Sequence, residues 1–165
     1  MMRSLLSLCL LLSGPGFAAA ALDFDDSLLE LKAQARACYM GFIKLYDADY
    51  YARPGVGRCI RLSYLRDFSG EALDEATVKV FKQRHGEAMV ARYREDLARI
   101  GAAYRPVVPG DRYTYCVGND SGGVLLRDGE AVARIDSNEL AERFLQIWVR
   151  SDAPDSLPEW GFGQC

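Results

Sequence analysis

The sequence predicts an α+β fold, with helices segregated from a mostly antiparallel sheet. Three observations carry this. "RCIRLSYL", residues 58–65, alternates Ile60, Leu62 and Tyr64 against Cys59, Arg61 and Ser63, the period-two pattern of a strand. Residues 67–102 switch to helical period. Residues 110–136 return to strand pattern around Asp128-Gly129, the dipeptide favoured in a type I′ hairpin turn. An order of strands, helices, a meander and a final helix belongs to the α+β class.

The elements follow in order. Arg3 is the only charge in the first 22 residues, and the apolar run 5–12 is broken by Ser13, Gly14 and Pro15 before "FAAAA". That layout predicts a secretory signal peptide over residues 1–21, cut after Ala20 or Ala21. The run falls well short of the roughly 20 residues that span a bilayer. Cys9 lies inside the apolar part of this leader, ahead of the small-residue site. The mature chain, 22–165, is then a single domain. Residues 22–37 read equally as a helix or an edge strand. A strand follows over about 39–51, rich in Tyr, Phe and Ile. Pro54, Gly55 and Gly57 punctuate the turn to the strand at 58–66, which can pair with it antiparallel.

A first helix starts at a Ser69 or Asp67 cap, places Leu73, Ala76, Thr77 and Val80 on one face, and ends at Gly86. A second runs from Glu87 to about Ala102 with Met89, Val90, Tyr93, Leu97 and Ile100 on one side, and Pro106 and Pro109 close the pair. The meander turns at 119–123 and at Asp128-Gly129. Asp136, Ser137 or Asn138 caps a last helix that buries Leu140, Phe144, Ile147 and Trp148. Residues 151–165 form a tail with two prolines.

Composition narrows the function classes. The formal net charge is −3, with Lys and Arg scattered among Asp and Glu. No basic stripe is present, so nucleic acid is not the expected partner. No later apolar run is long enough for a transmembrane helix. No C-x-x-C and a single His argue against a metal site, and no cofactor is expected. Four cysteines remain after the leader: Cys38, Cys59, Cys116 and Cys165. An even count in an exported chain favours disulfides, with three connectivities possible. Cys59 and Cys116 both fall on the more polar face of their strands, which favours their pairing and leaves Cys38 with Cys165 on a free tail.

Five stretches, "KLYDADYYA", "RCIRLSYLRDFSGEAL", "AAYRPVVPGDRYTYC", "GGVLLRDGEAVARID" and "ELAERFLQIWV", together resemble the bacterial exported branch of the chalcone isomerase-like family. The likeness spans about 35–150 and rests on the collinear set. It implies an open-faced β-sandwich, a large antiparallel sheet under a layer of helices with a cleft between. It also implies either an isomerase that closes a flavanone ring or a relative that binds fatty acids without catalysis. The enzymes use an early-strand arginine to hold a phenolate; the matching position is Cys38, and Arg36 is two residues earlier on the same face.

Each candidate residue has a functional and a plain reading. Asp47 and Asp49 share a strand face, but no neighbour that would split their pKa values accompanies them, so they read as scaffold. Tyr46, Tyr50, Tyr64, Tyr113 and Tyr115 can line a cleft for a flat or lipid-like ligand, or pack the core. Arg61 and Arg66 can hold a carboxylate at a cleft mouth or pair at the surface. His85 reads as a cation favoured at a helix C-terminus, and "GNDSGG" as a hairpin loop without the ending of a phosphate cradle. The leading expectation is a periplasmic or secreted monomer that binds a small apolar anion, fatty acid-like, without efficient catalysis. The alternative is an isomerase or lyase acting on a phenolic or enone compound, with Arg36 or Arg61 stabilising the oxyanion. A third reading is a partner-binding module that uses the sheet's outer face.

Overall fold

The computed structural model describes residues 26–150 and 157–165. The expected leader, residues 1–21, and its expected cleavage site lie outside the described residues. A short 3-10 turn, Asp26–Leu28, leads into β1 (Glu30–Tyr39), β2 (Ile43–Arg53) and β3 (Gly57–Tyr64). Three helices follow, α1 (Gly70–His85), α2 (Glu87–Arg92) and α3 (Arg94–Ala103), then β4 (Arg112–Gly118), β5 (Gly123–Arg127), β6 (Glu130–Ile135) and α4 (Asn138–Leu145). The six strands form one sheet in sequence order, and every pair is antiparallel. The α+β open sheet covered by helices is thus observed.

Pleat parity sorts the side chains. Tyr46, Ala48, Tyr50 and Ala52 of β2 lie opposite Tyr64, Leu62, Ile60 and Arg58 of β3, on the inner face. Tyr113, Tyr115 and Val117 of β4 continue that face. Tyr50, Tyr113, Tyr115, Phe81 and Phe144 are among the most deeply buried large side chains, so the core is the layer between this face and the helices. The helical excursion between β3 and β4 is pinched at its neck by paired backbone bonds between Phe68 and Val107 (3.1 and 2.9 Å).

The helix ends follow their caps. The Ser69 hydroxyl accepts from the Ala72 amide (3.0 Å), Glu71 sits in the first turn, and Gly86, at φ 86°, ends α1 in a conformation that suits glycine. Ser137 caps α4 by accepting from the Leu140 amide (3.2 Å). Asp128 and Gly129 both have positive φ, as a type I′ turn requires.

Several expectations are corrected. Residues 30–37 are strand, resolving the helix-or-strand ambiguity. The strand expected from 39 begins at Ile43, because Met40 and Gly41 turn the hairpin at positive φ. The strand expected to reach 66 ends at Tyr64. The second helix breaks at Tyr93, whose hydroxyl donates to Glu139 on α4 (2.8 Å). Ile147 and Trp148 are buried but lie beyond the end of α4. His85 is a neutral tie rather than a free cation. Burial depresses its pKa below 6.5, and its Nε2 lies 2.8 Å from the Arg143 carbonyl.

Both cysteine pairs are joined, Cys59–Cys116 across β3 and β4 and Cys38–Cys165 between β1 and the tail. The tail is therefore docked, not free: the Cys38 amide donates to Gly163 O (2.9 Å) and Gly161 N to Trp148 O (2.7 Å). Its bridge from Gln164 to Ala37 covers part of the β1 edge. Cys59–Cys116 lies on the outer face, where Cys59, Cys116 and Val124 are buried beneath Leu29, Tyr51 and Leu126. Cys59 and Cys116 are 57 residues apart, so replacing both by Ala is expected to cost about 4 kcal/mol, chiefly through the unfolded chain. Urea unfolding measures it, with a lower midpoint and an m-value that rises as the unfolded chain loses its cross-link.

Candidate functional site

A cavity of about 270 Å³ lies between one end of the sheet's inner face and α1. Tyr46 and Leu45 of β2 and Leu62 and Tyr64 of β3 form its floor. Ala72, Leu73, Ala76, Thr77 and Val80 of α1 form its roof, and Phe68 and Tyr104 close the side nearest the neck. Ile147, Trp148, Gly161 and Phe162 supply the remaining wall. Ala72 and Ala76 are exposed as well as lining, which places the mouth along α1.

The roof follows from a helical row of small and branched residues at Ala72, Ala76 and Val80, spaced by four. The floor is held by edge-on aromatic contacts. Ring centroids are 5.9 Å apart for Tyr46 and Tyr64, 5.4 Å for Tyr46 and Phe162, and 5.7 Å for Tyr64 and Phe68.

None of the lining residues is charged. Their polar atoms are the hydroxyls of Tyr46, Tyr64, Tyr104 and Thr77 and the Trp148 indole. Thr77 donates to Leu73 O (2.8 Å) and lies 3.0 Å from the Tyr104 hydroxyl. Burial pushes the Tyr64 phenol well above its ordinary range, and the neighbouring phenols add to the effect. Burial also raises Tyr104, against the opposing bond to Thr77. Both phenols stay protonated; Tyr104 donates to Thr77, whose own proton goes to Leu73 O, and Tyr64 can donate to an acceptor placed in the cavity.

The five candidate tyrosines do not act together. Tyr46 and Tyr64 line the cavity. Tyr113 and Tyr115 line a neighbouring void of about 10 Å³, too small for more than one water. Tyr113 accepts from the Arg105 amide (2.9 Å), and Tyr115 donates to Ala141 O (3.0 Å), so both hydroxyls serve packing. Tyr50 lines neither space; burial pushes its phenol up, and the neighbouring Arg58 opposes that. Among the described residues, sequence reasoning missed Thr77 and Tyr104 as lining groups; Thr77 had been placed on the inner helical face without a role.

The candidate arginines lie elsewhere. Arg36 holds Asp47 with two bonds (2.5 and 3.0 Å) on the outer face, and that contact lowers the Asp47 pKa. Asp49 accepts from Gln34 (2.7 Å) on the same face. Arg61 donates to the Tyr51 hydroxyl (3.0 Å), its guanidinium 4.9 Å from that ring's centre. Arg66 is exposed beyond β3. Neither Arg36 nor Arg61 reaches the cavity, and Cys38 is committed to its disulfide. A buried arginine does sit on the inner face: Arg58, which pairs with Glu142 of α4 at the far end of the core. The alternation of β3, extended back to 58, carries that signal.

The profile of the chalcone isomerase-like family matches residues 27–157. The chain belongs to this family. No curated protein matches it. Among solved structures, an Arabidopsis thaliana fatty-acid binding protein is similar at 13% identity and a TM-score of 0.56, over 77% of this chain and 82% of that one. At that identity the likeness establishes a shared fold. The chalcone isomerase-like sheet and helical layer are the elements that bound the cavity.

The buried phenols predict an alkaline limit. The ordinary tyrosine value of 10.0 applies to the unfolded chain, whereas burial raises Tyr64, Tyr104 and Tyr115 in the fold. The stability these groups contribute is intact below about pH 10 and is lost as pH rises beyond it. Urea midpoints are expected to fall between about pH 9 and pH 11, while phenolate absorbance shows these tyrosines still neutral in the native protein.

Proposed function

We propose that this chalcone isomerase-like protein is an exported, monomeric binding protein of the family's bacterial exported branch. Its ligand is a small apolar anion of fatty acid type, and it has no efficient catalysis. One observation carries the reading: a cavity with an apolar floor and roof, opening along α1, whose polar groups are neutral hydroxyls and an indole. The leader pattern in residues 1–21 and the two disulfides support export. The similar solved structure is titled a fatty-acid binding protein.

Size and energy set the ligand. At about 270 Å³ the cavity lies just below the usual range of about 300–1,000 Å³ for small-molecule sites, which favours a medium-length chain. Burial of about ten carbons contributes roughly 8 kcal/mol at about 0.8 kcal/mol per methylene. Association costs about 4–15 kcal/mol, so the tail alone binds weakly and the head group must add to it. Efficient isomerase chemistry needs a fixed donor aimed at the developing oxyanion. Phenols raised by burial are poor acids, and the candidate arginines face away.

Calorimetric titration of the full chain with decanoic acid tests the reading. Uptake at one site is expected, with the fluorescence of Trp148 in the wall changing in parallel. Ala76→Phe, at an exposed position on the mouth, is expected to weaken binding about tenfold or more without lowering the melting temperature. A wild-type chain that takes up no fatty acid of any length overturns the proposal. A chalcone is expected to cyclise only at its uncatalysed background rate in the presence of the protein.

A further inference from the structure

The helical row that roofs the cavity, Ala72, Ala76 and Val80, continues one turn further to Arg84. Arg84 does not point to bulk solvent. Its Nη2 donates to the carbonyl of Gly161 (2.5 Å), a residue of the cavity wall. A Cβ on Gly161 would collide with that guanidinium and crowd the carbonyl of Ile147, another wall residue, so the guanidinium packs directly behind this wall of the cavity. The Nε of Arg84 is buried and has no hydrogen-bond partner.

Among the described residues its charge is also without an ion pair. The nearest charged groups are Arg150 and Glu159, but Glu159 bonds to Arg150 (3.3 Å). Burial and the Arg150 charge both disfavour the Arg84 cation. A buried donor on a permanent cation left without an acceptor is a costly arrangement, and the anion that would relieve it must be supplied. A clamp on the tail uses only Nη2 and leaves Nε unexplained. His85, beside it, is turned to Arg143 and offers no carboxylate.

Resting on the binding function proposed above, the geometry points to Arg84 as the residue that receives the ligand's carboxylate, with the alkyl chain running under α1 toward Tyr46 and Tyr64. The site is specific for acids over neutral lipids of the same length. The group is on a helix, on a different element from the early-strand arginine that the family resemblance implies.

The test compares decanoic acid with decanol on the full chain at pH 8. Wild type is expected to bind the acid about tenfold or more tightly, as a charge-assisted pair removed from water provides. In Arg84→Gln that preference is expected to disappear while decanol affinity holds, and Arg84→Lys is expected to keep part of it. A second readout needs no variant. With carboxyl-carbon-labelled decanoic acid followed by NMR, the pKa of the bound carboxyl is expected below that of the free acid, since a guanidinium favours the ion. A bound pKa above the free value, equal binding of acid and alcohol by wild type, or a preference that survives in Arg84→Gln overturns the role of Arg84 and leaves the cavity intact. Failure of both ligands to bind overturns the cavity reading itself.

Discussion

Strand parity is the constraint on which the rest depends. With β2, β3 and β4 in fixed antiparallel register, every second residue from Tyr46 to Ala52, from Arg58 to Tyr64 and from Tyr113 to Val117 must face the helices. Those positions are tyrosines and aliphatics with a single charge, Arg58. A shift of one residue would bring Asp47, Asp49, Arg61 and Cys59 inward instead. The Cys59–Cys116 bond, between directly opposed residues on the outer face, holds the register where it matters most.

Parity also decides which cations are available to the cavity. Arg58 faces inward but is held by Glu142. Arg127, opposite Tyr113, is held by Asp111 (3.3 Å) and by Pro106 O (2.9 Å). Arg36 and Arg61 are outward and bonded there. The sheet therefore presents a neutral aromatic floor, and any charge at the cavity must come from the helical layer or the tail. The opening along α1 follows from the same economy of side chains: alanines at 72 and 76 do not fill the space that a Leu would.

The legible part of the fold was the part with strong local pattern. β3 alternates large and polar residues, the Asp128-Gly129 turn demands positive φ, and Ser69 and Ser137 are good caps; each matched the structure. β1 was ambiguous because its inward residues are Ala33, Ala35 and Ala37, and alanine favours helix by propensity. The structure shows why they are small: Ala33 and Ala37 lie opposite Tyr50 and Tyr46. For the site, the sequence indicated that tyrosines would face a helical layer. It carried no sign of which end of that face the helices leave uncovered, because that depends on the placement of α1 and the tail. Thr77 and Tyr104, far apart in sequence, meet only after the β3–β4 excursion folds back through Phe68 and Val107.

The tail couples a disulfide to the cavity wall. Cys38 is joined to Cys165, which holds residues 163–165 along the end of β1, while Gly161 bonds to Trp148. The tail held by that bond adds a wall to the cavity, since Gly161 and Phe162 are lining residues. The wall in turn fixes Arg84, whose guanidinium fits only because Gly161 has no side chain. Arg84 stands in the last turn of α1, where the helix dipole favours a positive group.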